Sequence, residues 1–189
     1  MGTVRPSTLE TRILRTDTEK DFDKSLELAA AQLRRGDVVV VPTETVYGLA
    51  ANALEAESVE KIFAAKNRPT QNPIIVHVAD ESMARDCVAE WTEVASALAK
   101  AFWPGPLTLV LLKAENIPGI VTAGGGTVGV RLPNHPFMQE LIKVCGFPLA
   151  APSANLSNHV SPTSAEHAKS QLDGRVPLIV DGGTAKVGI

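Results

Sequence analysis

Four consecutive valines, Val38-Val39-Val40-Val41, constrain this chain more than any other feature. A continuous β-branched run has no polar face, so it reads as a strand buried on both sides and needs a layer above and a layer below. Pro42 ends it. The preceding stretch offers one such layer. Phe22, Leu26, Ala29, Ala30 and Leu33 recur at helical spacing, and Gly36 stands where a helix stop belongs. A second helix is expected from about Ser58, with Val59, Ile62, Phe63 and Lys66 on one face. It stops at Asn67-Arg68-Pro69, because the residue before a proline disfavours the helical region.

The alternation continues. Ile74–Val78 reads as a buried strand, 81–102 as one helix with Trp91, Val94, Ala95, Leu98 and Phe102 on one side, and Leu107–Leu112 as a strand. Val128–Leu132 is a strand, 136–145 a helix, Phe147–Ala151 a strand, Ser164–Leu172 a helix and Pro177–Val180 the last strand. Strands alternating with helices argue an α/β domain with a twisted sheet. Residues 1–12 read as a polar leader and 13–189 as one domain, without repeat or linker. The final Gly188-Ile189 follows a strand and a glycine-rich turn directly, so the domain is expected to be truncated at its C-terminus.

At 189 residues the chain can bury a full core, and its 44% hydrophobic and 21% charged residues are ordinary for a globular domain. A net charge of −3 shows no bulk attraction to nucleic acid, although a local basic patch stays open. The two cysteines, Cys87 and Cys145, lack metal-type spacing and fit a reducing compartment as small buried residues. No apolar run approaches the roughly 20 residues of a membrane span. The N-terminus lacks the apolar core of a secretory signal, so the expected location is the cytoplasm.

Chemistry is expected in the polar loops that follow buried strands, where open α/β sheets collect ligands. Pro42-Thr43-Glu44-Thr45-Val46-Tyr47-Gly48-Leu49 sets two hydroxyls, a carboxylate and a phenol just after the valine strand. They could orient a small polar ligand or satisfy their own turn. Lys66 and Arg68 flank a helix end, where cations are stabilised by the dipole or could clamp a phosphate. His77 interrupts an apolar strand and needs a partner, within the core or outside it. Arg131 ends a short strand and must meet an anion, from the protein or from a ligand. Ala151-Pro152-Ser153-Ala154-Asn155, with Ser161-Pro162-Thr163 downstream, again places small polar groups after a strand. Ser153 has no visible His/Asp relay or nucleophile elbow, and Thr163 or Ser164 reads as a helix cap, with Glu166 completing a capping box. No P-loop or G-x-G-x-x-G is present, so any ATP site is of a less common kind.

Five segments in order, PTETVYGLA (42–50), KNRPTQNPIIVHV (66–78), WPGPLT (103–108), GVRLPNHP (129–136) and APSANLSNHVSPT (151–163), resemble the threonylcarbamoyl-AMP synthases of the YrdC-like fold. The resemblance runs from about Thr11 to Ile189. It implies a twisted mixed β-sheet with helices on both sides and a large concave cleft. It also implies an enzyme that joins L-threonine, bicarbonate and ATP, with Mg²⁺, into threonylcarbamoyl-adenylate and releases pyrophosphate. Partner threonylcarbamoyl-transferase proteins would then modify the tRNA adenosine beside the anticodon.

By the same resemblance Lys66 and Arg68 are the catalytic pair at the ATP phosphates, helped by Asn72. Thr127, Ser153, Asn155 and Ser161 lie along the nucleotide. Thr45, Tyr47, His77, Arg131 and the backbone of Ala151 surround threonine, with no residue assigned to a metal. Family members continue past the turn matching Gly182–Gly188 into a Glu-Ser-Thr-Val-Val-Asp segment that helps bind threonine. Some add a domain whose linker covers the cleft. The chain ends before that point, which implies a fragment or an incomplete site. The same fold leaves two competitors: a non-catalytic module that binds double-stranded RNA, and the carbamoyl-transfer domain of a hydrogenase-maturation protein.

Overall fold

The computed structural model describes residues 9–188. Along the chain run β1 (Arg12–Arg15), α1 (Glu19–Arg34), β2 (Val39–Val41), β3 (Gly48–Asn52), α2 (Ala56–Lys66), β4 (Val76–His77) and α3 (Glu81–Asp86). There follow α4 (Glu93–Phe102), β5 (Leu109–Leu112), β6 (Thr127–Arg131), α5 (Pro136–Cys145), β7 (Leu149–Ala150), α6 (Ala165–Leu172) and β8 (Leu178–Asp181). The strands form one mixed sheet in the order β1-β8-β2-β3-β7-β4-β6-β5.

The valine run does what its composition requires. Side chains alternate across a strand, so Val39 and Val41 join one apolar cluster and Val40 the other. The first cluster is closed by Ala29, Ala30 and Leu33 of α1 and by Phe137, Met138, Leu141 and Ile142 of α5. Phe22 and Phe137 meet edge to face there, with ring centres 5.2 Å apart. The second cluster is closed by Val59, Ile62 and Phe63 of α2, Ala95 and Ala99 of α4, and Ala165, Ala168 and Leu172 of α6. Helices therefore cover both sides of the sheet around β2, as the resemblance implied.

The half of the sheet beyond β7 is different. Val76, Val128, Val130 and Leu109 point into the second cluster. Their neighbours on the opposite face include His77 and Arg131, paired across the parallel β4/β6 ladder. Val110 and Leu112 share that opposite face and are 65% and 56% exposed. Among the described residues no helix core closes it, and this open face is the floor of the cleft.

Several expectations need correction. The polar leader was expected through residue 12. Residues 1–8 lie outside the described residues, but Thr11 is buried, its hydroxyl donates to the Val176 carbonyl at 2.7 Å, and Arg12 opens β1 beside β8. Four residues flanked by arginines carry too little pattern to announce an edge strand. The strand β3 lies between β2 and β7, yet its Gly-Leu-Ala-Ala-Asn has little β-propensity. Its small residues are selected by burial on both faces. The single helix over 81–102 is two. Val88 leaves α3 to bridge Lys113, and Thr92 starts α4 by accepting the Ala95 N–H at 3.1 Å. In α4 the buried face is Ala95 and Ala99, while Val94 and Phe102 are 68% and 57% exposed. Ser164, not Thr163, caps α6 by accepting the His167 N–H at 3.2 Å.

After β8 the chain turns at Gly182 beneath Pro42 and His135. A Cβ at Gly182 would sit 2.5 Å from Pro42 Cγ and 3.0 Å from His135 Cε1. Gly182→Ala is therefore expected to destabilise the fold by about 1–3 kcal/mol through overpacking, read as a lower denaturant midpoint with an unchanged slope.

Candidate active site

The site is built where the ends of β4, β6 and β7 meet the loops after β2 and β7. His77 ends β4 and Arg131 ends β6; parallel pairing sets them side by side. A cavity of about 290 Å³ opens over them, lined also by Thr45, Ile75, Ala151, Ser153 and Ser161. Six of the residues singled out from sequence thus share one space: Thr45, His77, Arg131, Ala151, Ser153 and Ser161.

Arg131 is 8% exposed, so its charge needs an anion. The structure supplies Glu44, whose Oε1 accepts from Arg131 Nη2 at 2.6 Å; the same Nη2 donates to Thr45 Oγ1 at 3.1 Å. The turn carrying both partners is held by Thr43. Its Oγ1 accepts from the N–H groups of Thr45 and Val46, each at 3.2 Å, and donates to the Val46 carbonyl at 2.6 Å. Glu44 lies in the polar loop after the valine strand, where the sequence alone names no partner for it. Its signal was an acid at the end of a fully buried strand, where a carboxylate survives only opposite a cation.

His77 is 4% exposed, and burial, followed by the Arg131 charge, lowers its pKa from 6.5 to about 4 against the opposing pull of Glu44. The imidazole is neutral at physiological pH, and its Nδ1 has no hydrogen-bond partner among the described residues. Glu44 Oε2, Arg131 Nε, Arg68 Nε, His135 Nδ1 and Asn155 Oδ1 are likewise buried and unpartnered. Buried polar atoms are rarely left so; His77 and Arg131 line this cavity, Glu44 and His135 line a neighbouring one of about 310 Å³, and Arg68 and Asn155 line neither. Larger depressions of about 540 and 560 Å³ lie elsewhere on the surface, but none of these orphan atoms lines them.

The remaining nucleotide candidates lie outside the lining of this cavity. Lys66, 1% exposed, donates from Nζ to the carbonyls of Ser153 and Asn155, tying the end of α2 to the loop after β7. Burial, and then the neighbouring Arg68, lower its pKa from 10.5 to about 8. Asn155 braces the same loop by donating to the carbonyls of Leu156 and His159, each at 2.8 Å. Arg68 is half-buried and donates to the Pro73 carbonyl at 3.1 Å. Asn72 is exposed on that loop, and Thr127 is exposed at the start of β6. Neither Arg68, Asn72 nor Thr127 lines the cavity over His77.

Tyr47 lies apart from this group. Expected as a wall of the threonine pocket, it is wholly buried and absent from the cavity lining. Its hydroxyl donates to the Gly183 carbonyl at 2.6 Å and accepts from the Gly182 N–H at 3.2 Å. Burial raises its pKa well above the ordinary phenol value. Tyr47 acts as a pin that fastens the turn after β8, a contact between residues 135 apart that no local pattern announces.

A mixed α/β sheet whose strand-end loops enclose a charged, hydroxyl-lined cavity defines the YrdC-like class. The family model for the Sua5/YciO/YrdC domain, described as telomere recombination, matches residues 31–189, and the chain belongs to that family. It is 50% identical over 175 residues to the threonylcarbamoyl-AMP synthase of Bacillus subtilis, an alignment covering 92% of this chain and 51% of that protein. To the threonylcarbamoyl-AMP synthase of Pyrococcus abyssi it is 48% identical over 171 residues, covering 90% and 50%. The crystal structure of P. abyssi Sua5 complexed with L-threonine superposes with a TM-score of 0.89 at 46% identity, covering 94% of this chain and 52% of that one. The chain thus spans about half the length of these relatives.

Two outcomes follow from the buried charges. Arg131→Met strands the Glu44 carboxylate and is expected to cost about 3–5 kcal/mol in urea unfolding, whereas pairing it with Glu44→Met should recover most of that loss. The depressed His77 pKa means that the unfolded chain takes up a proton first as pH falls. Stability should be complete above pH 6.5 and decline toward pH 4, by roughly 3 kcal/mol from this group. His77→Gln, which cannot titrate, should flatten that part of the curve.

Proposed function

We propose that this chain catalyses the ATP-dependent formation of L-threonylcarbamoyl-adenylate from L-threonine and bicarbonate, releasing pyrophosphate. The observation that carries this is the gathering of Arg131, His77, Thr45 and Ala151 around a cavity of about 290 Å³. That volume suits an amino acid and lies at the low end of ligand pockets. Threonine would set its carboxylate toward Arg131 and its hydroxyl among Thr45, His77 and Ser161. The threonylcarbamoyl-AMP synthase of B. subtilis and the L-threonine bound to P. abyssi Sua5 support the reaction and the choice of amino acid.

A nucleoside triphosphate is too large for this cavity and would lie at its mouth, along Ser153, Asn155, Ser161 and Thr127 on the open face of the sheet. Arg68, half-buried with an unpartnered Nε, is the cation for the phosphates, with Asn72 on the same loop. Lys66 would contribute its charge from beneath, through the Ser153–Asn155 loop that it holds in place. Magnesium would arrive with ATP, on the phosphate oxygens, as part of the substrate. Among the described residues no group of three or more His, Cys, Asp or Glu side chains is placed to hold a metal ion.

Chemistry would run without a covalent enzyme intermediate. The threonine amine and bicarbonate condense to a carbamate with loss of water. A carbamate oxygen then bonds to the α-phosphorus as the bond from that phosphorus to pyrophosphate breaks. The residues act by positioning and by neutralising charge on the departing pyrophosphate. Such an enzyme would be cytoplasmic and would hand its product to threonylcarbamoyl-transferase proteins acting on tRNA. Among the described residues no helix is long and apolar enough to cross a membrane.

Pyrophosphate release is the test. It should require ATP, L-threonine and bicarbonate together, and Arg68→Ala should reduce it by about 100-fold or more. Release independent of threonine would defeat the proposed reaction. Wild-type turnover in Arg68→Ala would defeat only the phosphate role of that residue.

A further inference from the structure

We propose that Tyr47 is a positioning residue whose hydroxyl, acting through the turn after β8, sets how tightly the cavity over His77 holds its amino acid. This role rests on the amino-acid reading of that cavity and falls to a residue that does not line it.

Hydrogen bonds close a ring around Tyr47. Its hydroxyl donates to the Gly183 carbonyl at 2.6 Å and accepts from the Gly182 N–H at 3.2 Å. From there residues 182–188 run back, as a strap, to the loop that carries Tyr47 itself. The Val187 N–H donates to the Glu44 carbonyl at 2.9 Å and the Gly188 N–H to the Thr45 carbonyl at 3.2 Å. The start of the strap has no slack, because Gly182 sits so close beneath Pro42 that a Cβ would meet Pro42 Cγ at 2.5 Å. Burial raises the Tyr47 pKa well above the ordinary phenol value, so the hydroxyl keeps the proton it donates.

The ring reaches the cavity through Thr45. Thr45 lines the cavity, and its Oγ1 accepts from Arg131 Nη2 at 3.1 Å, while Glu44 Oε1 accepts from the same nitrogen at 2.6 Å. Moving the backbone at 44–45 therefore moves both partners of the arginine that would meet the substrate carboxylate. The loop after β7 is held separately. Lys66 ties down the carbonyls of Ser153 and Asn155, and the Tyr47 backbone donates to the Pro162 carbonyl at 2.8 Å and accepts from the Ala154 N–H at 2.7 Å.

Tyr47→Phe keeps those backbone bonds and the buried ring and removes only the oxygen. Gly183 is exposed, so water can replace the phenol at its carbonyl. The Ala185 N–H, donated to the Thr163 carbonyl at 2.9 Å, keeps the strap attached. What is lost is alignment, and its size is that of one hydrogen bond.

Pyrophosphate release, titrated with each substrate in turn, tests this. Tyr47→Phe should raise the KM for L-threonine by about two- to tenfold, with kcat and the KM for ATP within about twofold of wild type. Val187→Pro deletes the N–H donated to Glu44 at a residue 60% exposed, and should give the same split. In the double variant the two effects should not multiply, because both act through one strap. A residue that only supported the fold would lower the urea midpoint and the active fraction without moving the KM for threonine. The role of Tyr47 is overturned if the threonine KM of Tyr47→Phe stays within about twofold of wild type, if the KM for ATP rises as much, or if the two variants multiply. Should Tyr47→Phe fail to fold, Val187→Pro decides alone, and an unchanged threonine KM overturns the role. Wild-type protein that releases no pyrophosphate in response to threonine would instead overturn the functional reading beneath it.

Discussion

The buried ion pair between Arg131 and Glu44 is the constraint around which the cleft is organised. An arginine at the end of β6 is tolerable only if the loop after β2 brings a carboxylate to it, and that loop is held by Thr43 below and by the strap at Val187 and Gly188 beside it. Tyr47, one step along the same loop, pins the turn that launches the strap. Three remote parts of the chain are thus locked together at one point, and the cavity over His77 is the space left between them.

The sheet explains why this space stays open. Around β2 both faces are covered by helices, so side chains there are apolar and small. Beyond β7 only one face is covered, which allows the other to carry a histidine, an arginine and a threonine on adjoining strands. The same asymmetry leaves Val110 and Leu112 exposed. Function sits where packing is incomplete, and the polar groups there are only partly satisfied by the protein itself.

Lys66 illustrates how a residue can stand out in a sequence while its geometry stays hidden. Its position at the end of α2 marked it as a charged group near the cleft, and it does sit against the Ser153 loop. Its ammonium, however, is spent on two backbone carbonyls, while the half-buried Arg68 donates to the Pro73 carbonyl. Whether such a lysine touches a ligand or shapes the loop that does is a matter of a few ångströms, beyond the reach of spacing arguments.

What the sequence alone determined follows from strong local patterns. The valine strand, α1, α2, α5, α6 and the polar loops at strand ends were legible because periodicity, glycine stops and proline breaks act over a few residues. His77 and Arg131 stand out in the sequence because polar groups in buried strands demand partners, whereas Thr45, Ala151, Ser153 and Ser161 are singled out by resemblance to the family. Only the tertiary structure decided that β1 exists, that Gly-Leu-Ala-Ala-Asn is a strand between β2 and β7, that Arg131 answers to Glu44, and that Tyr47 fastens Gly182. Each of these depends on contacts between residues far apart in the chain, where burial by distant neighbours overrides weak local preference.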